Sequence, residues 1–272
     1  MADKGGIPGP RITAEALEAA VVRREFVVQF QPKVERVDES GEWRTTEAEA
    51  LIRWRHPEHG LLGPGAFLPA AERLGRIAEL DELVLRNMLR NLRRWRERGL
   101  ALKGCINLAP AELADPALPW RYAQIVEQYG LACADVTLEI AESAVADPDF
   151  AGRRVVSALR QQGFRISLDD FGAAASSLKA FGALELDEIK IDASMLAHAR
   201  ANEMSRKALA AITGLAHSSG ITVCAEGVED EETLAFLREI RCDKMQGFLI
   251  SAAVMPEIIR SCYPAVAAAS AA

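Results

Sequence analysis

The 272-residue chain carries 32 Lys and Arg against 39 Asp and Glu, a net charge of −7, and half of it is hydrophobic. That balance belongs to a globular chain with a sizeable core; it argues against a nucleic-acid groove, which needs a basic face, yet admits a small anion held by metal ions and a few placed cations. No apolar run reaches the ~20 residues of a membrane span, no signal-peptide pattern opens the chain, and the five scattered cysteines form no CxxC pair, so a cytoplasmic protein without membrane association is expected.

Residues 1–12 are Gly- and Pro-rich and are expected to be disordered, as is the Ala/Ser tail 264–272, leaving a single domain over 13–263. Leu17, Ala20 and Val21 fall at helical spacing within 13–24, with Thr13 as N-cap. Strands are predicted at 26–35, where Pro32 marks an edge or a strand end, and at 45–54; the short polar link between them makes the pair antiparallel. A loop at 57–65 precedes helices at 65–74 and 77–99, the second closed by Gly99 as C-cap. The arginines between Arg86 and Arg98 read as the solvated face of that helix. Strands at 103–108, 135–140, 165–169, 185–192, 221–225 and 244–250 then alternate with helices at 110–129, 149–162, 177–181, 202–219, 230–240 and 256–262. Eight strands in about the ~250 residues of a (β/α)₈ barrel predict an α/β fold, a modified TIM-type barrel with one antiparallel strand. An open doubly wound sheet is the alternative, and no GxGxxG turn supports it.

The stretch RISLDDFGAAASS ends an apolar run at two adjacent carboxylates, Asp169 and Asp170. Two like charges ~4 Å apart repel by ~4 kcal/mol at an effective dielectric of ~20, so the pair needs cations nearby or must hold a proton. The other strands are interrupted in the same way. Glu49 shares a strand face with Arg53, Asn107 sits between Ile106 and Leu108, and Glu139 between Leu138 and Ile140. Lys190 lies between Ile189 and Ile191, Glu226 follows Ala225, Gln246 comes late in the last strand and Gln31 within the first. A period of two turns the apolar neighbours toward the helices and these polar groups toward the barrel axis. Acids at C-terminal strand ends are where a barrel keeps its active site.

The donor set is all oxygen: Glu49, Glu139, Asp169, Asp170 and Glu226 with the Asn107 amide, while none of the four histidines falls in a predicted strand. Hard oxygen ligands favour Mg²⁺, Mn²⁺ or Ca²⁺ over zinc. Five acids exceed what one Mg²⁺ takes, so two ions are expected, and two such ions fit phosphodiester hydrolysis. Lys190 would orient the attacking water or neutralise the phosphate. Singly, each residue has a plainer reading. A lone buried acid is more often a structural ion pair than a catalyst. Lys190 alone could pair with Asp192 or Glu188 at the surface, and Gln31 and Gln246 could be satisfied interior amides. Only the convergence of several strands lifts the set above those roles.

Glu49-Ala50-Leu51 opens a longer series in which QPKV, EALIRWRHPEHG, FLPAAERLGRI, INLA, LEIAES, LDDFG, IKID, AEGVE and QGF follow in order. With these motifs the chain resembles the EAL-domain family of cyclic di-GMP phosphodiesterases over about residues 13–259. The resemblance implies hydrolysis of one phosphodiester of cyclic di-GMP to linear pGpG by a cytoplasmic homodimer using Mg²⁺ or Mn²⁺. It implies that Glu49, Asn107, Glu139, Asp169 and Asp170 are metal ligands, with Glu226 a further ligand or assisting acid and Lys190 placing the nucleophilic water. Gln31, Leu51, Arg53, Asp192 and Gln246 are implied ligand contacts, Arg53 aimed at a phosphate, and Glu142 braces the loop after DDFG.

The chain also departs from the family pattern. DDFGTGYSS becomes DDFG followed by Ala173, Ala174 and Ala175, with Ser176 and Ser177 kept. Ala141 stands for a threonine, Ala109 for a serine, and Ala252 and Ala253 for the basic residue and proline after the QGF segment. These departures predict a phosphodiesterase of weakened activity. The alternative is a catalytically inactive cyclic di-GMP receptor or protein-interaction module.

Overall fold

The computed structural model describes residues 12–36, 43–145, 152–172 and 184–261. The expected disordered ends at 1–11 and 264–272, the 173–175 loop, the helix at 177–181 and the start of the 149–162 helix lie outside the described residues.

Among the described residues nine strands make one sheet: β1 (Phe26–Arg36), β2 (Trp43–His56), β3 (Gly60–Leu62), β4 (Lys103–Asn107), β5 (Val136–Ala141), β6 (Arg165–Phe171), β7 (Glu188–Ile191), β8 (Thr222–Ala225) and β9 (Lys244–Met245). Eight of them run β1-β9-β8-β7-β6-β5-β4-β2 and close through a β1–β2 pairing, while β3 is a short antiparallel addition to the far end of β2. The barrel has one antiparallel strand, as expected. It is β1, antiparallel to both β2 and β9, and every other neighbouring pair in the ring is parallel.

Helix α1 (Ala14–Val22) precedes β1, and α2 (Leu68–Arg73), α3 (Ile77–Glu97), α4 (Leu118–Gln128), α5 (Glu142–Val145), α6 (Arg153–Gln161), α7 (Ala193–Ala201), α8 (Glu203–Ser218) and α9 (Glu231–Glu239) lie between the strands. Thr13 caps α1 by accepting from the Ala16 N–H. The longest helix, α3, buries Leu80, Val84, Leu85, Met88, Leu92 and Trp95 along one stripe, each such side chain stabilising by ~1.5–3 kcal/mol. Its polar face carries the i,i+4 pairs Arg86–Glu82 and Arg93–Glu97, the solvated role expected of that arginine run. Trp95 meets Phe30 edge-on with centroids 5.0 Å apart and donates its indole N–H to the Pro256 carbonyl at 3.0 Å. Gly104 on β4 makes room for Met88, whose sulfur a Cβ there would approach to 2.2 Å, so a larger residue would displace that side chain.

Several predicted elements are corrected. The loop at 57–65 contains β3, and His56, expected outside any strand, ends β2. The helix predicted over 110–129 is a 3₁₀ turn, Pro110–Ala114, followed by α4. The helix predicted from 202 is preceded by α7, because Asn202 leaves the helical region and caps α8 by accepting from the Met204 and Ser205 N–H groups. The terminal helix predicted at 256–262 is a single 3₁₀ turn, Pro256–Ile258. The last strand stops at Met245 rather than 250. There the loops after β8 and β9 bond each other, Val228 N–H to the Gln246 carbonyl at 3.1 Å and Leu249 N–H to the Val228 carbonyl at 2.9 Å. Gly247 permits that approach, since a Cβ would meet the Val228 backbone at 2.2 Å.

Behind the end of β4, the buried Glu112 and the half-buried Asp81 support the Pro110–Ala114 turn. Glu112 accepts from the Tyr122 hydroxyl at 2.9 Å and from Arg121 at 3.2 Å. Asp81 of α3 hydrogen-bonds Glu112 and accepts from the Ala109 N–H at 3.4 Å. Burial first, then Glu112, pushes the Asp81 pKa from 3.8 up to about 9, so folding takes up a proton between those values. Stability contributed at this site therefore falls as pH rises through that window. Asp81→Asn, which mimics the neutral acid, should gain on the wild type by up to ~1.4 kcal/mol per pH unit between about pH 5 and 8. Urea unfolding at both ends of the range checks this; a pH-independent offset would show that Asp81 is ionised in the folded protein.

Candidate active site at the barrel mouth

The strands bring the predicted residues to one end of the barrel. Register places Glu49 of β2 opposite Gln31 of β1 and Asn107 of β4 opposite Glu139 of β5. The Lys190 ammonium stands at the centre, 2.7 Å from Glu226, 2.8 Å from Glu139, 2.9 Å from Asp169 and 3.6 Å from Glu49. The plainer surface pairing with Asp192 or Glu188 does not occur, for Lys190 is 1% exposed. Asn107 donates to one Glu49 oxygen at 2.9 Å, and Gln246 donates to the other at 2.7 Å and to Gln31 at 2.9 Å. Gln31 in turn donates to the Ser251 carbonyl at 3.1 Å.

Carboxylate oxygens of Asp169, Asp170 and Glu226 lie within 4.8 Å of one another. Asp170 is held there by a left-handed backbone, φ 56°, and its N–H donates to the Asp169 carboxylate at 3.0 Å. Non-glycine residues in that region are uncommon, with Asp among the tolerated types, and such strain collects at functional sites. Glu142 accepts from the Gly172 N–H at 3.1 Å, directly before the segment it is expected to brace.

Leu51 joins Gln31, Glu49, Glu226, Gln246 and Phe248 around a hollow of about 290 Å³ at the mouth, where Phe248 is 70% exposed. A larger hollow of about 790 Å³ runs along α3, away from these carboxylates, and its walls are occupied by the Arg86–Glu82 and Arg121–Asp115 pairs. Two predicted ligand contacts have local engagements. Asp192 caps α7 by accepting from the Ser194 N–H at 2.9 Å. Arg53 donates to the Ile52 carbonyl at 2.9 Å while staying within electrostatic reach of Glu49.

Beneath the mouth lies a second charged layer that the strand pattern does not single out. Lys33 bonds Glu139 at 2.7 Å and Glu188 at 2.9 Å, and Lys244 bonds Glu47 at 2.6 Å and Glu188 at 2.8 Å. Ser167 and Cys105 add contacts to Glu188 and Glu47 at 3.1 and 3.3 Å. Each floor residue sits two positions from a mouth residue: Glu47 from Glu49, Glu188 from Lys190 and Lys33 from Gln31 on the same strand, and Lys244 from Gln246 just past the end of β9. That spacing is the signal by which the floor could be found. In an ordinary barrel the equivalent layers are filled by branched aliphatic side chains.

The two layers differ in charge. The floor pairs Lys33 and Lys244 with Glu47 and Glu188 and is neutral. The mouth sets five carboxylates (Glu49, Glu139, Asp169, Asp170, Glu226) against the one ammonium of Lys190, a formal −4 when every acid is ionised, which two divalent cations would cancel. The titration of these groups reflects that excess. Burial first, then Asp169, pushes Glu226 up to about 7. Burial and the Asp169 charge also raise Asp170, and burial and Glu49 raise Glu139. Burial acts in the same direction on Glu49, but Lys190 and Lys33 outweigh it and hold the carboxyl below its ordinary value. For Lys190 burial disfavours the charge, and the surrounding Glu139, Glu49, Asp169 and Glu226 more than reverse it. An all-oxygen set of this charge fits a hard divalent cation.

The family model for the EAL domain matches residues 14–253. The chain belongs to the EAL-domain family. It is 36% identical over 238 residues to the cyclic di-GMP phosphodiesterase NbdA of Pseudomonas aeruginosa, covering 87% of this chain and 30% of that one. It is 30% identical over 237 residues to the cyclic di-GMP phosphodiesterase PdeR of Escherichia coli, covering 86% and 35%. The chain thus spans about a third of the length of these curated relatives. The solved PaMucR phosphodiesterase in complex with c-di-GMP superposes with a TM-score of 0.82 at 32% identity, over 89% of this chain and 97% of that one.

Proposed function

We propose that this EAL domain hydrolyses cyclic di-GMP to linear pGpG with two Mg²⁺ or Mn²⁺ ions. The observation that carries the reading is the gathering of five carboxylates and one lysine at the barrel mouth, four of the acids on the Lys190 ammonium and Asp170 beside Asp169 and Glu226. Relatives named as cyclic di-GMP phosphodiesterases support the substrate class. Divalent ions bound there would supply Lewis acidity and a hydroxide at neutral pH. Asp169, Asp170 and Glu226, with Glu49, Asn107 and Glu139, would hold them. Lys190 would orient the attacking water and offset the phosphate charge, with Glu49 and Glu226 taking part at the reacting centre. The Gln31–Gln246 amide pair, Leu51 and Phe248 would receive the nucleotide, Arg53 would face a phosphate, and Asp192 would contact the ligand from its capping position. Glu142 would brace the loop that follows Gly172.

The decisive experiment is turnover by the purified protein with Mn²⁺ or Mg²⁺, followed as pGpG by chromatography. Product that disappears with EDTA is expected. Tight cyclic di-GMP binding without product under either metal would leave the receptor reading, which the Ala173–Ala175 replacement favours. If that loop limits the reaction, Thr-Gly-Tyr at positions 173–175 should raise turnover roughly tenfold, the effect of ~1.4 kcal/mol on a barrier; an unchanged rate would place the limitation elsewhere. A cytoplasmic setting is supported by the free thiols of Cys105, Cys133, Cys224 and Cys242. No helix of the described residues is long and apolar enough to cross a membrane. The homodimer, implied by the family resemblance, is checked by light scattering.

A further inference from the structure

Glu139 is the carboxylate shared by both charged layers. One oxygen accepts from Lys33 below at 2.7 Å and the other from Lys190 at the mouth at 2.8 Å. Neither Lys33 nor Glu139 is accessible, at 0% and 1% exposure. Lys33 is fixed in its turn. It pairs with Glu47 across the β1–β2 ladder, and its ammonium reaches Glu188 at 2.9 Å and Glu47 at 3.9 Å. Lys244 closes the other side of the floor through Glu47 and Glu188. Buried ion pairs are commonly no more stabilising than well-packed apolar side chains of the same volume. Stability alone therefore gives no reason for four charges where aliphatic layers would fill the space.

We infer that Lys33 is a positioning residue for the metal centre. By occupying one oxygen of Glu139 it fixes the carboxylate plane and leaves the other oxygen as the only one offered to the mouth. The inference rests on the reading that the mouth holds divalent ions. Lys33 touches neither substrate nor ion; it acts through Glu139, and partners of this kind orient ligands at metal sites generally.

The test compares two charge-balanced double variants of the full chain by Mn²⁺ titration, using electron paramagnetic resonance or calorimetry, with melting curves to verify folding. Lys33→Met with Glu188→Gln removes the contact to Glu139 and keeps the floor neutral. Lys244→Met with Glu47→Gln removes the other half of the floor and keeps Lys33 on Glu139. The first should bind Mn²⁺ at least about tenfold more weakly, in line with the loss of such a partner, and the second should stay within about twofold of wild type. Turnover of cyclic di-GMP by the first should recover as Mn²⁺ is raised. Where the first double does not fold, Lys33→Leu with Glu188→Gln replaces it with the same expectation. Undiminished Mn²⁺ affinity in the Lys33 variant, or equal losses in both doubles, would overturn the positioning role and leave the functional reading standing. A wild-type protein that binds no Mn²⁺ would overturn both.

Discussion

Glu49→Ala is expected to lower cyclic di-GMP turnover by about 10³-fold or more while the protein remains folded. Glu49 receives the Asn107 and Gln246 amides on its two oxygens and lies 3.6 Å from Lys190, so its removal releases three groups at the mouth at once. An ion that stabilises developing charge contributes several kcal/mol, and ~4 kcal/mol is about three decades in rate. Some loss of stability should accompany it without unfolding, since Glu49 is buried, Lys190 and Lys33 favour its ionised form, and Ala leaves the Asn107 and Gln246 amides without that partner. Chromatographic assay of pGpG with saturating Mn²⁺, alongside a thermal melt, checks both halves. Residual turnover within tenfold of wild type would place Glu49 outside the reacting centre.

Lys190→Met reverses the balance, with a large effect on stability as well as rate. The ammonium is 1% exposed and stands within 3.6 Å of Glu49, Glu139, Asp169 and Glu226. Methionine preserves much of the volume but leaves these carboxylates facing one another. Removing one partner of a buried ion pair costs ~3–5 kcal/mol, which for a chain of this size lowers Tm by roughly 10 °C. That loss should appear in EDTA. Added Mn²⁺ should restore much of it, because a divalent cation supplies the missing positive charge and binds only the folded state. Turnover should not return with it, since the group proposed to orient the water is gone. An EDTA melting temperature equal to that of wild type would show that Lys190 does not hold the carboxylates together in the metal-free protein.

The mouth is largely legible in the order of the residues. Asp169, Glu139 and Glu226 stand out because each interrupts or ends a buried strand, and a period of two assigns their direction. The antiparallel start of the barrel is legible for a related reason: the β1–β2 link is too short for a parallel crossover. Element ends are less so. β9 stops early because Gly247 lets two loops meet over Val228, and Asp192 is committed to capping α7. Both depend on contacts that a local pattern does not contain.

Periodicity along single strands, together with the motifs in their order, is enough to establish the barrel, the end at which its acids gather and the oxygen-rich character of the candidate site. The floor beneath is decided only by closure. Setting β1 antiparallel between β2 and β9 brings Lys244 to within 2.6 Å of Glu47, 197 positions away, and Lys33 to within 2.7 Å of Glu139, 106 positions away. Alternation tells which way a side chain points. Which opposite charge it meets, and therefore whether a buried lysine is tolerable there, follows from the register in which the ring of strands joins, and that is a property of the whole sheet.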